Sequence, residues 1–264
     1  MQSSSPDTKT TRRALLGGAG ALAAAALLGR PAIASAQAPA PGAFRFVHLT
    51  DIHVQPELKD AEGFRQCLAA VHALKPRPDF ILTGGDLVFD VLAQTEARSK
   101  ALFDLYTGIC RDSDIPWRHC IGNHDVFGWS TKGKIAPDHV SYGKQMARDQ
   151  LGLERTTYGF DHKGWHFVLV DDIQPREDGG DGYEGGFSEE DLHWIDADLK
   201  AAGDRPKVMC MHIPIITVTV FRALDVTGKS ADLSISKAMI CRNPGPILEL
   251  LRRHKVNLAL SGHK

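Results

Sequence analysis

FRFVHLTDIH, residues 44–53, is a short β-rich run that stops at Asp51-Ile52-His53. Further on, DFILTG (79–84) has the same form and runs into Gly84-Gly85-Asp86. Between them Phe64, Cys67, Leu68, Val71 and Leu74 recur at helical spacing, and Pro76 closes the segment. The unit is strand–helix–strand. A second helix, expected at roughly 92–111, leads to another strand, WRHCIG (117–122), so this half alternates as a parallel α/β sheet does.

The second half continues the alternation. TTYGFDHKGWHFVLVDD (156–172) predicts a hairpin with its turn at 161–164, and Ser188-x-x-Asp191 predicts a capping box opening a helix with Leu192, Ile195 and Leu199 on one face. KVMCMHIP (207–214) is a further strand, followed by a helix near 246–254 and a last strand over 256–261. The glycine-rich acidic loop 173–187 and the insert 214–244 are irregular and suited to lying over a site.

Five sets of polar residues each lie at the carboxyl end of a predicted strand: Asp51 and His53, then Asp86, then Asn123-His124-Asp125, then His212, then His263. In an open sheet those ends share an edge, where ligands bind and distant residues converge. Carboxylate, imidazole and amide oxygen are ligands for Fe, Mn or Zn. Asp51 and His53, two apart on an extended segment, can face one ion, and Asp86 has the oxygens to bridge it to a second. Each piece has a plain alternative. Asp often starts turns, and Gly-Gly-Asp is an ordinary strand-ending turn; five such sites in order are a poor coincidence.

The ordered set resembles the signature of the calcineurin-like metallophosphoesterases: D-x-H, G-D, G-N-H-D/E, a lone His, then G-H-x-H. The matching residues are Asp51 and His53, Gly85-Asp86, Gly122 to Asp125, His212, and Gly262-His263. The resemblance implies a four-layer α/β/β/α sandwich and two divalent or trivalent metal ions. It places Asp51, His53 and Asp86 on one ion and Asp86, Asn123, His212 and His263 on the other. It also implies attack on phosphorus by a metal-bridging hydroxide, with His124 assisting the leaving group and Asp125 orienting it. The final His of the last motif has no counterpart after Lys264, so the expectation is an incomplete domain over 37–264 that lacks its closing strands. Phe89 stands where purple acid phosphatases carry a tyrosine, so the look is nearer the branch holding class III cyclic-nucleotide phosphodiesterases.

Residues 1–36 have the form of a signal peptide: a basic start, an apolar run from Ala14 to Leu28, and Ala34-Ser35-Ala36 as a cleavage site. Arg12-Arg13 resembles the twin-arginine signal, which implies passage through that export machinery to the periplasm or beyond. The alternative, a membrane anchor, needs a longer and more apolar run. No membrane span is expected in the mature protein.

The formal net charge is −1, and removing the basic leader makes the remainder more acidic; no nucleic-acid footprint is visible. The family resemblance implies a small phosphate ester as substrate, and the acidic balance and export signal disfavour a nuclease. The Cys residues at 67, 110, 120, 210 and 241 lack a C-x-x-C and read as mostly buried thiols, with one disulfide left open. His48, His72, His119, His166 and His193 fall within strands or helices and read as packing or surface residues. Trp129 and Tyr183 follow motif loops, where either could line a substrate cleft, and are assigned no role. The competing functional reading is an exported protein that binds metal or phosphate without turnover.

Overall fold

Alternation within the strands assigns the layers. In the computed structural model, which describes residues 42–217 and 238–263, β1 (Phe46–Leu49), helix α1 (Asp60–Ala73), β2 (Phe80–Thr83), helix α2 (Glu96–Arg111), β3 (Trp117–Arg118) and helix α3 (Gln145–Leu151) make the first half. The three strands form one parallel sheet, with Phe46 opposite Phe80 and Leu49 opposite Thr83. Val47, Leu49 and Ile81 point to one face and meet Phe64, Leu68 and Val71 of α1 and Leu102, Phe103 and Tyr106 of α2. Phe46, Phe80 and Leu82 point to the other.

The second half comprises β4 (Tyr158–His162), β5 (Trp165–Leu169), the hairpin β6 (Ile173–Pro175) and β7 (Tyr183–Gly185), helix α4 (Glu189–Ala201), β8 (Lys207–Cys210), helix α5 (Pro244–Arg253) and β9 (Leu258–Leu260). Its main sheet has the order β4-β5-β8-β9, antiparallel at the first pair and parallel after it. Phe167, Leu169, Val208 and Cys210 face the first sheet, while Val168, Val170 and Met209 face Ile195 and Leu199 of α4 and Ile247 and Leu250 of α5. The result is α/β/β/α. Between the sheets, the Phe46 and Phe80 rings stack at 5.4 Å, and Phe167 meets Phe80 edge-on at 5.3 Å. Each buried side chain of this kind contributes about 1.5–3 kcal/mol.

Several boundaries differ from the sequence reading, each for a visible reason. β3 spans Trp117–Arg118, not 117–122, because Cys120 N donates to the Thr83 hydroxyl at 3.0 Å instead of continuing the ladder. α2 starts at Glu96, capped by Thr95; the residues before it belong to a loop, where Val91 N bonds His124 O at 2.9 Å. The hairpin turn is the pair Lys163-Gly164, both at positive φ, and the Ser188/Asp191 capping box forms as expected. Cys110, Cys120, Cys210 and Cys241 are buried thiols, but Cys67 is exposed. The leader and most of the insert fall outside the described residues. Among the described residues, no helix is long and apolar enough to cross a membrane.

His166 on β5 is a structural ion pair. Its Nδ1 lies 2.8 Å from Asp161 and its Nε2 2.8 Å from Asp198, so both ring nitrogens need protons. The bond to Asp198 raises its pKa against burial, and Asp161 adds to the rise. A raised folded pKa means the stabilisation is whole below the unfolded value, about 6.5, and is lost as pH climbs through the folded one. In urea melts, the stability gap between wild type and His166→Gln is therefore widest near pH 6 and narrows toward alkaline pH.

Candidate metal centre

The strand-end residues meet where the carboxyl ends of both sheets converge, and their backbone is unusual. Asp51 (φ 54°), His53 (φ 46°), Asp86 (φ 53°) and His263 (φ 69°) all lie in the left-handed region. This corrects the expectation that Asp51 and His53 share an extended segment. Such a conformation costs a non-glycine residue roughly 1–2 kcal/mol. Here the loops after β1 and β2 hold each other in it: Asp51 N bonds Gly85 O at 3.0 Å, His53 N bonds Asp86 O at 3.0 Å, and Val54 N bonds Leu87 O at 3.1 Å.

Asp86, His212 and His263 bring ligand atoms within 4.8 Å of one another. His212 Nε2 stands 3.1 Å from Asp86 Oδ2, 3.0 Å from Asn123 Oδ1 and 3.1 Å from His263 Nδ1. The opposite ring nitrogens are both engaged: His212 Nδ1 donates to Gly84 O at 2.8 Å, and His263 Nε2 to Ala238 O at 2.9 Å. These carbonyls fix the tautomers and leave Nε2 of His212 and Nδ1 of His263 as the lone-pair nitrogens. Two imidazole lone pairs, a carboxylate oxygen and an amide oxygen then face one point, which calls for a cation or a proton. Burial pulls the His212 imidazole down, but its bond to Asp86 and the charges of Asp86 and Asp172 push it up to about 9.

A second group shares the same carboxylate. His53, Asp86 and His124 also bring ligand atoms within 4.8 Å, with His53 Nε2 at 3.6 Å and His124 Nε2 at 3.9 Å from Asp86 Oδ2. The two rings meet edge-on at 4.7 Å, and burial lowers the His53 pKa. Nδ1 of both is buried without a hydrogen bond. The donor types and the shared oxygen fit a pair of borderline metal ions.

Asp51 stands outside both groups. Its carboxylate accepts the Thr50 hydroxyl at 2.6 Å and His263 N at 2.9 and 3.0 Å, tying the first motif to the last. Asp125 does not reach His124. It accepts from Leu87 N at 2.9 Å, Val88 N at 3.2 Å and Gly122 N at 2.8 Å, bracing the loop that carries Asp86. Burial, reinforced by the charge of Asp86, pushes Asp125 up to about 7. The carboxylate that faces His124 Nδ1 is Asp90, at 3.8 Å. Nothing in the sequence marks Asp90, since its place depends on the turn after Asp86.

Two aromatic rings flank the groups. Phe89, 41% exposed, lies 6.5 Å from both His53 and His124. Tyr183 meets His263 edge-on at 6.3 Å, and burial, with the charges of Asp86 and Asp90, pushes its phenol upward.

The sequence model of the calcineurin-like phosphoesterases matches residues 44–264, and the chain belongs to that family. No curated protein matches it. Among solved structures, PhoD is similar at a TM-score of 0.45 and 11% identity, over 84% of this chain and 52% of that one. The chain thus spans about half the length of that protein.

Close packing around Asp86 gives a test. A Cβ at Gly122 would stand 2.2 Å from Asp86 Oδ1 and 2.4 Å from Asp86 N, an overlap that is relieved only if the carboxylate and the backbone carrying it both move. Gly122→Ala is expected to keep the circular-dichroism spectrum of the wild type while losing most of the bound metal by elemental analysis.

Proposed function

We propose that the chain is a dinuclear metallophosphoesterase that hydrolyses small phosphate mono- or diesters. The observation that carries this reading is the single oxygen, Asp86 Oδ2, shared by two sets of ligand-type atoms. In this reading Asn123, His212, His263 and Asp86 hold one ion, and His53 and Asp86 hold the other with Asp51 beside them. When bound, ions of this class lower the pKa of a water and neutralise charge developing on the phosphoryl oxygens.

The remaining steps belong to the protein. Gly84 O and Ala238 O hold the two imidazoles so that Nε2 of His212 and Nδ1 of His263 would be the nitrogens offered to their ion. The bonds from His263 N hold the first and last motifs at a fixed separation. His124 is about one-third exposed and faces Asp90 through Nδ1, a placement suited to carrying a proton to the leaving oxygen from Nε2. Asp125 acts one step back, by setting the loop on which Asp86 and His124 sit.

The expected behaviour separates these roles. His124→Ala retains metal and loses most turnover, the more so on a substrate with a poor leaving group, whereas Asp86→Ala loses metal as well. Wild-type rates for His124→Ala on such a substrate would overturn its role. Bound metal with no hydrolysis of any phosphate ester by the wild type would favour the binding-protein reading.

The domain assignment is a leader over 1–36 and the phosphoesterase over 37–264, exported by the twin-arginine route to the periplasm or medium. Replacing Arg12 and Arg13 together by lysine is expected to leave the protein in the cytoplasmic fraction; unchanged export would count against that route.

A further inference from the structure

Tyr183 sits where its ring explains its packing but not its hydroxyl. The ring lies against the small apolar cluster of Val126, Ile173 and Ile213 and meets His263 edge-on at 6.3 Å. A phenylalanine would fill that space equally well. The hydroxyl has no hydrogen-bond partner among the described residues, and on this part-buried side chain it stays open to solvent. A tyrosine with its ring packed and its hydroxyl at the wet end is placed to bond a ligand that enters there.

The backbone under Tyr183 is pinned on both sides. Just before it, Gly182 N bonds Trp129 O at 3.2 Å, and Asp181 accepts the Ser130 hydroxyl at 3.0 Å. Just after it, the buried Glu184 accepts Glu177 N at 3.1 Å and faces Arg242 Nη1 at 3.1 Å. Ladder pairing with Pro175 fixes Tyr183 itself. The ring is thus held beside His263 by a rigid hairpin, the condition under which one donor can be aimed at a ligand.

We propose that Tyr183 is a substrate-contacting residue, its hydroxyl donating a hydrogen bond to a non-bridging phosphoryl oxygen of the ester bound beside His263. The charges that act on Tyr183 are those of Asp86 and Asp90, so a neutral phenol adds a donor where the ester's own oxygens carry charge. The assignment rests on the phosphoesterase reading above, and it gives the β6–β7 hairpin a share in substrate choice.

The test compares the metal-loaded full-length protein with Tyr183→Phe and Tyr183→Ala. It measures kcat and KM on p-nitrophenyl phosphate and bis(p-nitrophenyl) phosphate, inhibition by inorganic phosphate, and metal per chain. Tyr183→Phe is expected to keep its metal while losing about 10- to 100-fold in kcat/KM on at least one ester, the range for a hydrogen bond to a charged group. Its inhibition by inorganic phosphate should weaken in parallel. Tyr183→Phe kinetics within about twofold of wild type would overturn the proposal, with any defect confined to Tyr183→Ala marking a packing role. Loss of metal in Tyr183→Phe would overturn it too, since the hydroxyl would then be supporting the ligands. A wild type that hydrolyses neither ester removes the phosphoesterase reading itself, an outcome distinct from an active wild type matched by Tyr183→Phe.

Discussion

A carboxylate as buried as Asp86, 2% exposed, stays charged only where donors and cations surround it. Burial works to raise its pKa, yet the bond and charge of His212, with those of His124, hold it below the usual carboxylate range. His124 N donates to its other oxygen at 2.9 Å. Gly122 is bare because that oxygen occupies the space of a side chain, and Asp125 is buried because it braces the loop edges on either side. The layers, the strained turns and the glycines all serve one negative charge kept out of water.

The two-sheet construction brings the partners to it. Asp51, His53, Asp86, Asn123 and His124 come from the first sheet and its loops, whereas His212 and His263 follow β8 and β9 of the second. Phenylalanines between the sheets set the spacing, and alternate residues outside them bind the helices. A shift of either sheet would carry one imidazole group away from the shared oxygen.

Much of this was legible in the sequence because it follows from local rules. Period-two and helical patterns placed the strands and helices, and Ser188 with Asp191 marked a helix start that the structure keeps. The convergence of Asp86, Asn123, His212 and His263 followed from their common place after strands. What could not be read depends on contacts between loops. The left-handed turns at Asp51 and His53 exist because the next loop bonds them; Asp125 faces backbone amides instead of His124; and Asp90 and Tyr183 owe their places to folds of the chain that no periodicity records.

The bond from His263 N to Asp51 joins residues 212 positions apart. On the ribosome, the group of His53, Asp86 and His124 is complete long before His212 or His263 has been made. Synthesis therefore passes through a stage in which His53, Asp86 and His124 are all present while the group of Asp86, Asn123, His212 and His263 still lacks both of its imidazoles. The order of the motifs along the chain sets the order in which the centre can assemble.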